Sequence, residues 1–205
     1  MTTPRRRGRP PASDSEAGDT RRRIVEAALE LFAEKGFHGT GVAEIGTRAD
    51  VQRGALYYHI KSKEELLWEV LRDYVTELLV EAEAIVAAGN EPTLTLGNLI
   101  RSHVTRIVEH SREVRIQLRD GTSLDETHAA ELQELRDRVQ QCWQQVLDQG
   151  HADGAFASAD HVITNSLLGT VNMVSFWYRP NGGRTPDEIG DVLSALLLDG
   201  VKTTR

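Results

Sequence analysis

Apolar residues recur every three or four positions along most of the chain, and no segment shows the alternation that is typical of a β-strand. The first apolar stripe begins after Asp19 or Thr20 and ends at Gly36, as expected of a helix closed by a C-terminal glycine. Its inward positions are Ile24, Ala27, Ala28, Leu31 and Phe32. The pattern predicts an all-α fold.

Two short helices follow, joined by a tight turn at Asp50. Ile45 and Ala49 lie one turn apart on the first of them. The second spans about 52–59 and points Leu56 inward, together with Ile60 just beyond it. The small residues Gly54 and Ala55 are expected to let the two helices approach closely.

A long fourth helix starts at a capping box formed by Ser62 and Glu65 and runs to about Ala88. At roughly 26 residues it would be ~39 Å long, enough to connect a small head to a distant body. A second strong start signal is the cap and proline of Thr185 and Pro186. Further helices are predicted at about 93–110, 112–119, 125–149, 158–178 and 185–202.

The last two predicted helices are apolar over more than one face, and such helices need more than one packing partner. A homodimer that pairs these helices across a two-fold axis supplies the second partner. The alternative is burial within a monomer core. The predicted dimer interface comprises Leu167, Leu168, Trp177, Leu193, Leu196 and Leu197.

Composition narrows the function classes. The chain has 205 residues, 40% of them hydrophobic and 27% charged, with no apolar run of the ~20 residues that a membrane span requires. The N-terminus carries no apolar signal core, so we expect a cytoplasmic protein without membrane contact. Cys142 is the single cysteine, which excludes an internal disulfide. We find no metal-binding pattern, cofactor fingerprint or nucleophile motif, and expect neither an enzyme nor a cofactor.

Charge is unevenly distributed along the chain. Residues 1–64 carry a net charge of +3, whereas the remainder carries −10. Residues 1–18 are rich in Arg, Pro, Ser and Gly, so we expect a disordered basic arm. Arg7 and Arg9 have the R-G-R-P form of a hook that enters a narrow minor groove. The alternative is a basic tail that adds nonspecific attraction to phosphates.

The second short helix has the character of a DNA-recognition helix. Arg53 is the best candidate for a bidentate contact to guanine, and Gln52 could bind adenine. Phosphate contacts are expected from the other polar groups, although His59 could instead pack under the fourth helix. The complete predicted DNA-binding set is Arg7, Arg9, Thr40, Gln52, Arg53, Gly54, Tyr57, Tyr58, His59 and Lys63.

Residues 20–68 resemble the DNA-binding head of the TetR family of bacterial transcriptional regulators. The residues from Gly54 to Glu64 match the pattern G-x-L-Y-x-H-x-x-S-K-E. Departures from the family pattern are Gly41, Gly46, Asp50, Gln52 and Ile60. The resemblance implies a basic arm at 1–18, a three-helix head with a helix-turn-helix at 19–66, and a helical effector-binding and dimerisation body at 67–205. It also implies a repressor that binds double-stranded DNA as a homodimer and is released by a small molecule.

The body more weakly resembles actinobacterial regulators of lipid and sterol catabolism that respond to acyl-CoA thioesters. The similar segments are WQQVLDQG at 143–150 and WYRPNGG at 177–183. The implied effector is an acyl-CoA or a similar amphiphilic carboxylate, with a neutral hydrophobic compound as the alternative. An architectural DNA-binding protein without any effector is the alternative function. Candidate effector residues are Arg101, Arg115, Trp143, Asn165, Asn172 and Phe176.

Overall fold

The structure is a computed structural model that describes the backbone of residues 14–203 and the side chains of residues 18–203. Within this range the chain forms ten α-helices and a 3-10 turn at Gly121–Ser123. The helices are α1 (Asp14–Lys35), α2 (Val42–Arg48), α3 (Arg53–His59), α4 (Lys63–Ala87), α5 (Pro92–Glu109), α6 (Ser111–Asp120), α7 (Glu126–Ala152), α8 (His161–Asn172), α9 (Val174–Trp177) and α10 (Pro186–Val201).

The first helix confirms its predicted apolar stripe but not its predicted start. All five inward positions of the stripe are buried. The helix spans Asp14–Lys35, so residues 14–18 are helical and do not belong to an arm. Composition alone predicts an arm as far as residue 18. An established helix nevertheless extends at little cost, because it gains one hydrogen bond for each residue that it orders. The remainder of the predicted arm, including Arg7 and Arg9, lies outside the described residues.

Helix α4 is the bridge that the sequence predicts between head and body. The Ser62 hydroxyl caps it by accepting a hydrogen bond from the Glu65 N–H at 3.0 Å. The Glu65 carboxylate reaches one residue further back than a capping box requires and accepts from the Lys61 N–H at 2.7 Å. The helix packs on α1 at its head end and on α5, α6 and α7 in the body. Helix α4 therefore connects the head to the body.

The helix predicted at 158–178 is divided in two. Helix α8 ends at Asn172, Met173 caps it, and the short α9 follows. The Ser175 hydroxyl donates to the Asn172 carbonyl at 2.8 Å. Such a bond between side chain and backbone competes with the helical ladder, which explains why periodicity alone missed the break.

The last helix, α10, begins as predicted and packs closely on α5. The Thr185 hydroxyl and the Glu188 carboxylate form a reciprocal capping box. Two glycines bring the helices together, because a Cβ on Gly190 would lie 3.1 Å from the Arg101 Cα and one on Gly97 would lie 3.0 Å from the Ser194 Oγ. None of the described helices is long and apolar enough to cross a membrane.

One side of α8, α9 and α10 remains apolar and exposed, as the dimer hypothesis expects. Trp177 and Leu196 are half or more exposed, whereas Leu168, Leu193 and Leu197 are half-buried against the core. The prediction is wrong for Leu167, which is buried within the monomer at 3% exposure. The exposed apolar face comprises Val162, Met173, Phe176, Trp177, Val192 and Leu196.

Candidate functional site

The exposed face of α3 carries the polar and aromatic residues predicted to contact DNA. Leu56 and Ile60 are buried and anchor the helix. Tyr57 and Tyr58 point outward, and Tyr58 is 82% exposed. Gln52, Arg53, Gly54 and Ala55 are also exposed. A single short helix thus presents amide, guanidinium and phenol groups outside the fold.

The close approach of α2 and α3 occurs at Gly46 and not at the predicted Gly54. A Cβ on Gly46 would lie 2.8 Å from the Cδ2 of Leu56, whereas nothing lies within 4 Å of a Cβ on Gly54. The turn between the helices contains Asp50 with a φ of +52°, in the left-handed region. Aspartate tolerates this region better than most residues because its short side chain can bond locally.

Arg53 has no ion-pair partner within the described part of the chain. Its guanidinium lies 5.9 Å from the centroid of the Tyr57 ring. Several other cations of the head are already paired: Arg48 with Glu30 and Glu34, Lys35 with Glu44, and Arg21 with Glu69. Arg53 therefore keeps its charge available for an external anion.

Gln52 and His59 flank this face at the two ends of α3. Gln52 occupies the N-cap position, yet its side chain makes no capping hydrogen bond, so its amide group stays free. His59 is half-buried, and its ring packs edge-on against Tyr58 at 5.2 Å. Both predicted roles of His59, packing within the protein and contacting a phosphate, therefore remain open.

Thr40 and Lys63 point into the protein, contrary to the predicted phosphate contacts. Thr40 is 2% exposed, and its hydroxyl donates to the Gly36 carbonyl at 2.8 Å. The Lys63 ammonium donates to the carbonyls of Phe37 and Thr40 at 2.8 and 3.0 Å and lies 4.3 Å from the Phe37 ring centroid. Both side chains hold the loop between α1 and α2, which we call the corner (residues 36–41).

The end of α6 contacts the same corner from the body side, a feature that sequence reasoning missed. The Asp120 carboxylate, 5% exposed, accepts from the Phe37 N–H at 3.2 Å. Arg119 donates to the Phe32 carbonyl and, at 3.0 Å, to Asp120. Arg119 also lies against Gly36, where a Cβ would be 3.5 Å from its Cζ. No sequence signal links positions 119 and 120 to a loop more than eighty residues earlier.

The six predicted effector residues do not form one site. Arg101 donates to Ser194 and Asn98 and joins α5 to α10. Asn165 accepts from Gln140 at 2.9 Å on the surface of α8. Trp143 is fully buried in the core. Only Arg115 and Phe176 line a common groove.

This groove, which we call the basic groove, lies between α5, α6 and α9 and has a volume of about 890 Å³. Its cationic residues are Arg115, Arg119 and Arg179, and no carboxylate lines it. Leu118 and Phe176, both more than half exposed, are part of its apolar wall. The groove thus combines positive charge with exposed apolar surface, which suits an amphiphilic anion.

Trp143 and Asn172 instead contact His103, which is buried. The Nε2 of His103 donates to the Oδ1 of Asn172 at 3.0 Å, and the two rings of His103 and Trp143 meet edge to face at 5.6 Å. Burial disfavours the charged imidazolium and lowers the pKa of His103 to about 4. His103 is therefore neutral in the folded protein near pH 7.

Three buried polar atoms of the described body have no hydrogen-bond partner. They are the Nε1 of Trp68 on α4, the Oε1 of Gln117 on α6 and the Nε of Arg136 on α7. Burial lowers the pKa of Arg136 because its charge is removed from water. An unsatisfied buried polar group costs roughly 1–3 kcal/mol. Separately, the described residues contain no cluster of metal-ligating side chains.

Comparison with known proteins assigns both halves of the chain. Residues 24–70 match the model for bacterial regulatory proteins of the tetR family, and residues 89–201 match a tetracyclin repressor-like C-terminal domain. The chain belongs to the TetR family. The family assignment also confirms the all-α fold with an N-terminal helix-turn-helix and the prediction that this protein is not an enzyme.

Full-length relatives are also found within the TetR family. The chain is 32% identical to the HTH-type transcriptional repressor KstR2 of Rhodococcus jostii (strain RHA1) over 94% of its own length and 97% of that relative. The structure of the ketosteroid transcriptional regulator KstR2 of Mycobacterium tuberculosis matches with a TM-score of 0.80 and 27% identity, covering 94% of this chain and 98% of that one.

A third match, AibR in complex with isovaleryl coenzyme A and operator DNA, has a TM-score of 0.78 over 87% of this chain and 98% of that one. At 24% identity this likeness shows the shared fold only. The family model and the KstR2 relatives together establish the general function, which is transcriptional repression by a TetR-family protein.

Proposed function

We propose that this TetR-family repressor binds a palindromic operator as a homodimer and leaves it when an acyl-CoA thioester binds the body. The observation that carries the DNA contact is the exposed face of α3, where Arg53 has no ion-pair partner among the described residues. We place α3 in the major groove, with Arg53 on guanine and Gln52 on adenine. Because the proposed operator lies on the chromosome, we expect the protein to act in the cytoplasm.

The domain division is part of the same proposal. We take residues 19–66 as the DNA-binding head, extended by the first turn of α1 from Asp14, residues 67–205 as the effector-binding and dimerisation body, and residues 1–13 as a basic arm. Arg7 and Arg9 of the arm enter the minor groove beside each half-site. Deleting residues 1–12 should weaken operator binding and reduce its salt dependence, because four arginines are removed. If the arm is a minor-groove hook, the deletion weakens binding more at A·T-flanked operators than at G·C-flanked ones. Equal losses of affinity at both would indicate a nonspecific tail.

The homodimer rests on the exposed apolar face of α8, α9 and α10. Large apolar side chains that are exposed on neighbouring, packed helices indicate an association site. Leu196, 63% exposed, lies on this face, so Leu196→Glu should convert the dimer to a monomer. Val80→Glu is the matched control, because Val80 is 61% exposed but lies on α4. Sedimentation that shows a dimer for both variants, or a monomer for the wild type, contradicts the proposed interface.

The proposed effector class rests on the body. The basic groove offers guanidinium groups for an acidic ligand and apolar walls for its chain. The KstR2 relative is described as a ketosteroid regulator, which is consistent with a lipid-derived effector. The open volume of the basic groove, about 890 Å³, favours this class over an architectural protein, whose body would be filled.

A footprint of the intergenic DNA beside the gene, followed by titration with acyl-CoA thioesters, tests this function. The proposal predicts a protected inverted repeat and its release by short-chain, long-chain or sterol-derived CoA esters. Release by neutral aromatic compounds alone would contradict the acyl-CoA class. Failure of every compound to release the DNA would favour the architectural alternative.

A further inference from the structure

The Arg119 side chain lines the basic groove and also contacts the corner. Its side chain is about half exposed on the groove side. On the other side it donates to the Phe32 carbonyl in the last turn of α1 and lies against Gly36. A cation at the C-terminal end of a helix is stabilised by the negative end of the helix dipole and by the free carbonyls there. Arg119 therefore caps α1 from the body.

The groove has unbalanced positive charge. Arg115 donates to the Ser111 carbonyl of its own helix, and Arg179 donates to the carbonyls of Phe176 and Tyr178. Within the described chain neither guanidinium is paired with a carboxylate, and the neighbouring carboxylate of Asp120 is bound to Arg119. Guanidinium groups bind carboxylates and phosphates through paired hydrogen bonds. The groove is complementary to an anion.

We propose that the acidic part of the effector binds in the basic groove and that Arg119 transmits this binding to the DNA-binding head. The inference rests on the proposed function. It adds where the acidic part of the effector binds and which residue couples that binding to the head. An anion held by Arg115 and Arg179 also attracts Arg119, which then leaves the Phe32 carbonyl. The end of α1 loses its cap, and the corner loses one of its contacts with the body.

The corner determines how α2 and α3 are placed relative to the body. Two of its anchors come from α4 and α6, since Lys63 holds the carbonyls of Phe37 and Thr40, and Asp120 holds the Phe37 N–H. An operator-bound dimer needs both copies of α3 at a fixed separation, so a looser corner favours the unbound state. The effector shifts this equilibrium only by its differential affinity for the two states.

The experiment uses octanoyl-CoA as the anionic probe and octanol as its neutral match. Calorimetry measures probe binding to the full-length dimer, and fluorescence anisotropy measures operator affinity with and without the probe. The wild type should bind octanoyl-CoA and lose operator affinity, whereas octanol should do neither. The double variant Arg115→Gln/Arg179→Gln should bind octanoyl-CoA at least about tenfold more weakly, with unchanged operator affinity in the absence of probe.

Arg119→Gln should differ from that double variant by acting without any probe. Its operator affinity should already be about tenfold lower, and octanoyl-CoA should lower it little further. Arg119→Lys keeps the charge and one donor at the end of α1, so its operator affinity should lie between those of wild type and Arg119→Gln. Melting temperatures of all variants show whether each one is folded.

Several results would overturn the inference. One is a double variant that binds octanoyl-CoA as the wild type does, and another is an Arg119→Gln variant with wild-type operator affinity and release. Either result leaves the proposed function intact if the wild-type protein still binds its operator and octanoyl-CoA still releases it from that DNA. A wild type that fails to bind any operator in the probe-free measurement would instead sink the proposed function itself.

Discussion

The carboxylate of Asp120 accepts a hydrogen bond from the backbone N–H of Phe37 at 3.2 Å, across 83 positions of sequence. Both residues are buried, and Phe37 lies in the corner that leads to α2. This contact, together with Arg119 against Gly36, joins the end of α6 in the body to the loop that positions the recognition helix. This hydrogen bond to the backbone couples the head to the body, and a rearrangement at the end of α6 can break it.

Asp120→Ala should destabilise the head and weaken operator binding. The substitution leaves the Phe37 N–H buried without an acceptor, which costs roughly 1–3 kcal/mol in the free energy of unfolding. Asp120→Asn keeps an oxygen acceptor and should recover much of the loss. Urea unfolding and operator titration measure both effects. Equal behaviour of the Ala variant and the wild type would show that the bond does not hold the corner.

Lys63→Met should act on stability and not mainly on DNA contacts. It removes two hydrogen bonds to the carbonyls of Phe37 and Thr40 but retains most of the apolar stem, so we expect a loss of roughly 1–3 kcal/mol in unfolding free energy. Lys61→Met is the control, because Lys61 is exposed. It should leave the melting temperature unchanged and reduce the salt dependence of operator binding. Reversed outcomes would make Lys63 a phosphate contact after all.

His103 should make the protein less stable at low pH. Because burial lowers its pKa from 6.5 to about 4, the unfolded chain binds a proton between these values that the folded chain refuses. The free energy of unfolding therefore falls by about 3 kcal/mol as pH drops from 6.5 to 4 and is unaffected by this group above 6.5. His103→Gln retains an amide for Asn172 but does not titrate.

Urea unfolding at pH 7.5 and 4.5, at one protein concentration, tests this effect. Other titrating groups, such as His110, are common to both proteins and cancel in the comparison. The wild type should lose about 2–3 kcal/mol more than His103→Gln between the two pH values. The same loss in both proteins would mean that His103 is not shielded from protonation.

Local patterns predicted the helices well, whereas contacts distant in sequence could not be predicted. The stripe of α1, the caps at Ser62 and Thr185, and the inward positions of α3 follow from periodicity and capping chemistry within a few residues. The break at Met173 depends on a side-chain bond that periodicity does not register.

The site was predicted only where exposure follows from helix geometry. The outward face of α3 could be predicted because Leu56 fixes which side is buried. Polarity alone predicts DNA contacts for Thr40 and Lys63, yet both side chains donate to backbone carbonyls of the corner. The pairing of Arg119 and Asp120 with that corner depends on how α6 crosses α1, and no local pattern encodes a crossing.

The central claim is that α3 recognises an operator of two-fold symmetry through Arg53. Selection of bound sequences from a randomised DNA library, with the wild type and with Arg53→Ala in parallel, tests it most directly. The account predicts an inverted repeat with half-sites about one helical turn, ~34 Å, apart. Arg53→Ala should lose its guanine preference at one position of each half-site, at a cost of ~1–3 kcal/mol. Selected sequences without inverted symmetry, or an unchanged base preference in Arg53→Ala, would contradict it.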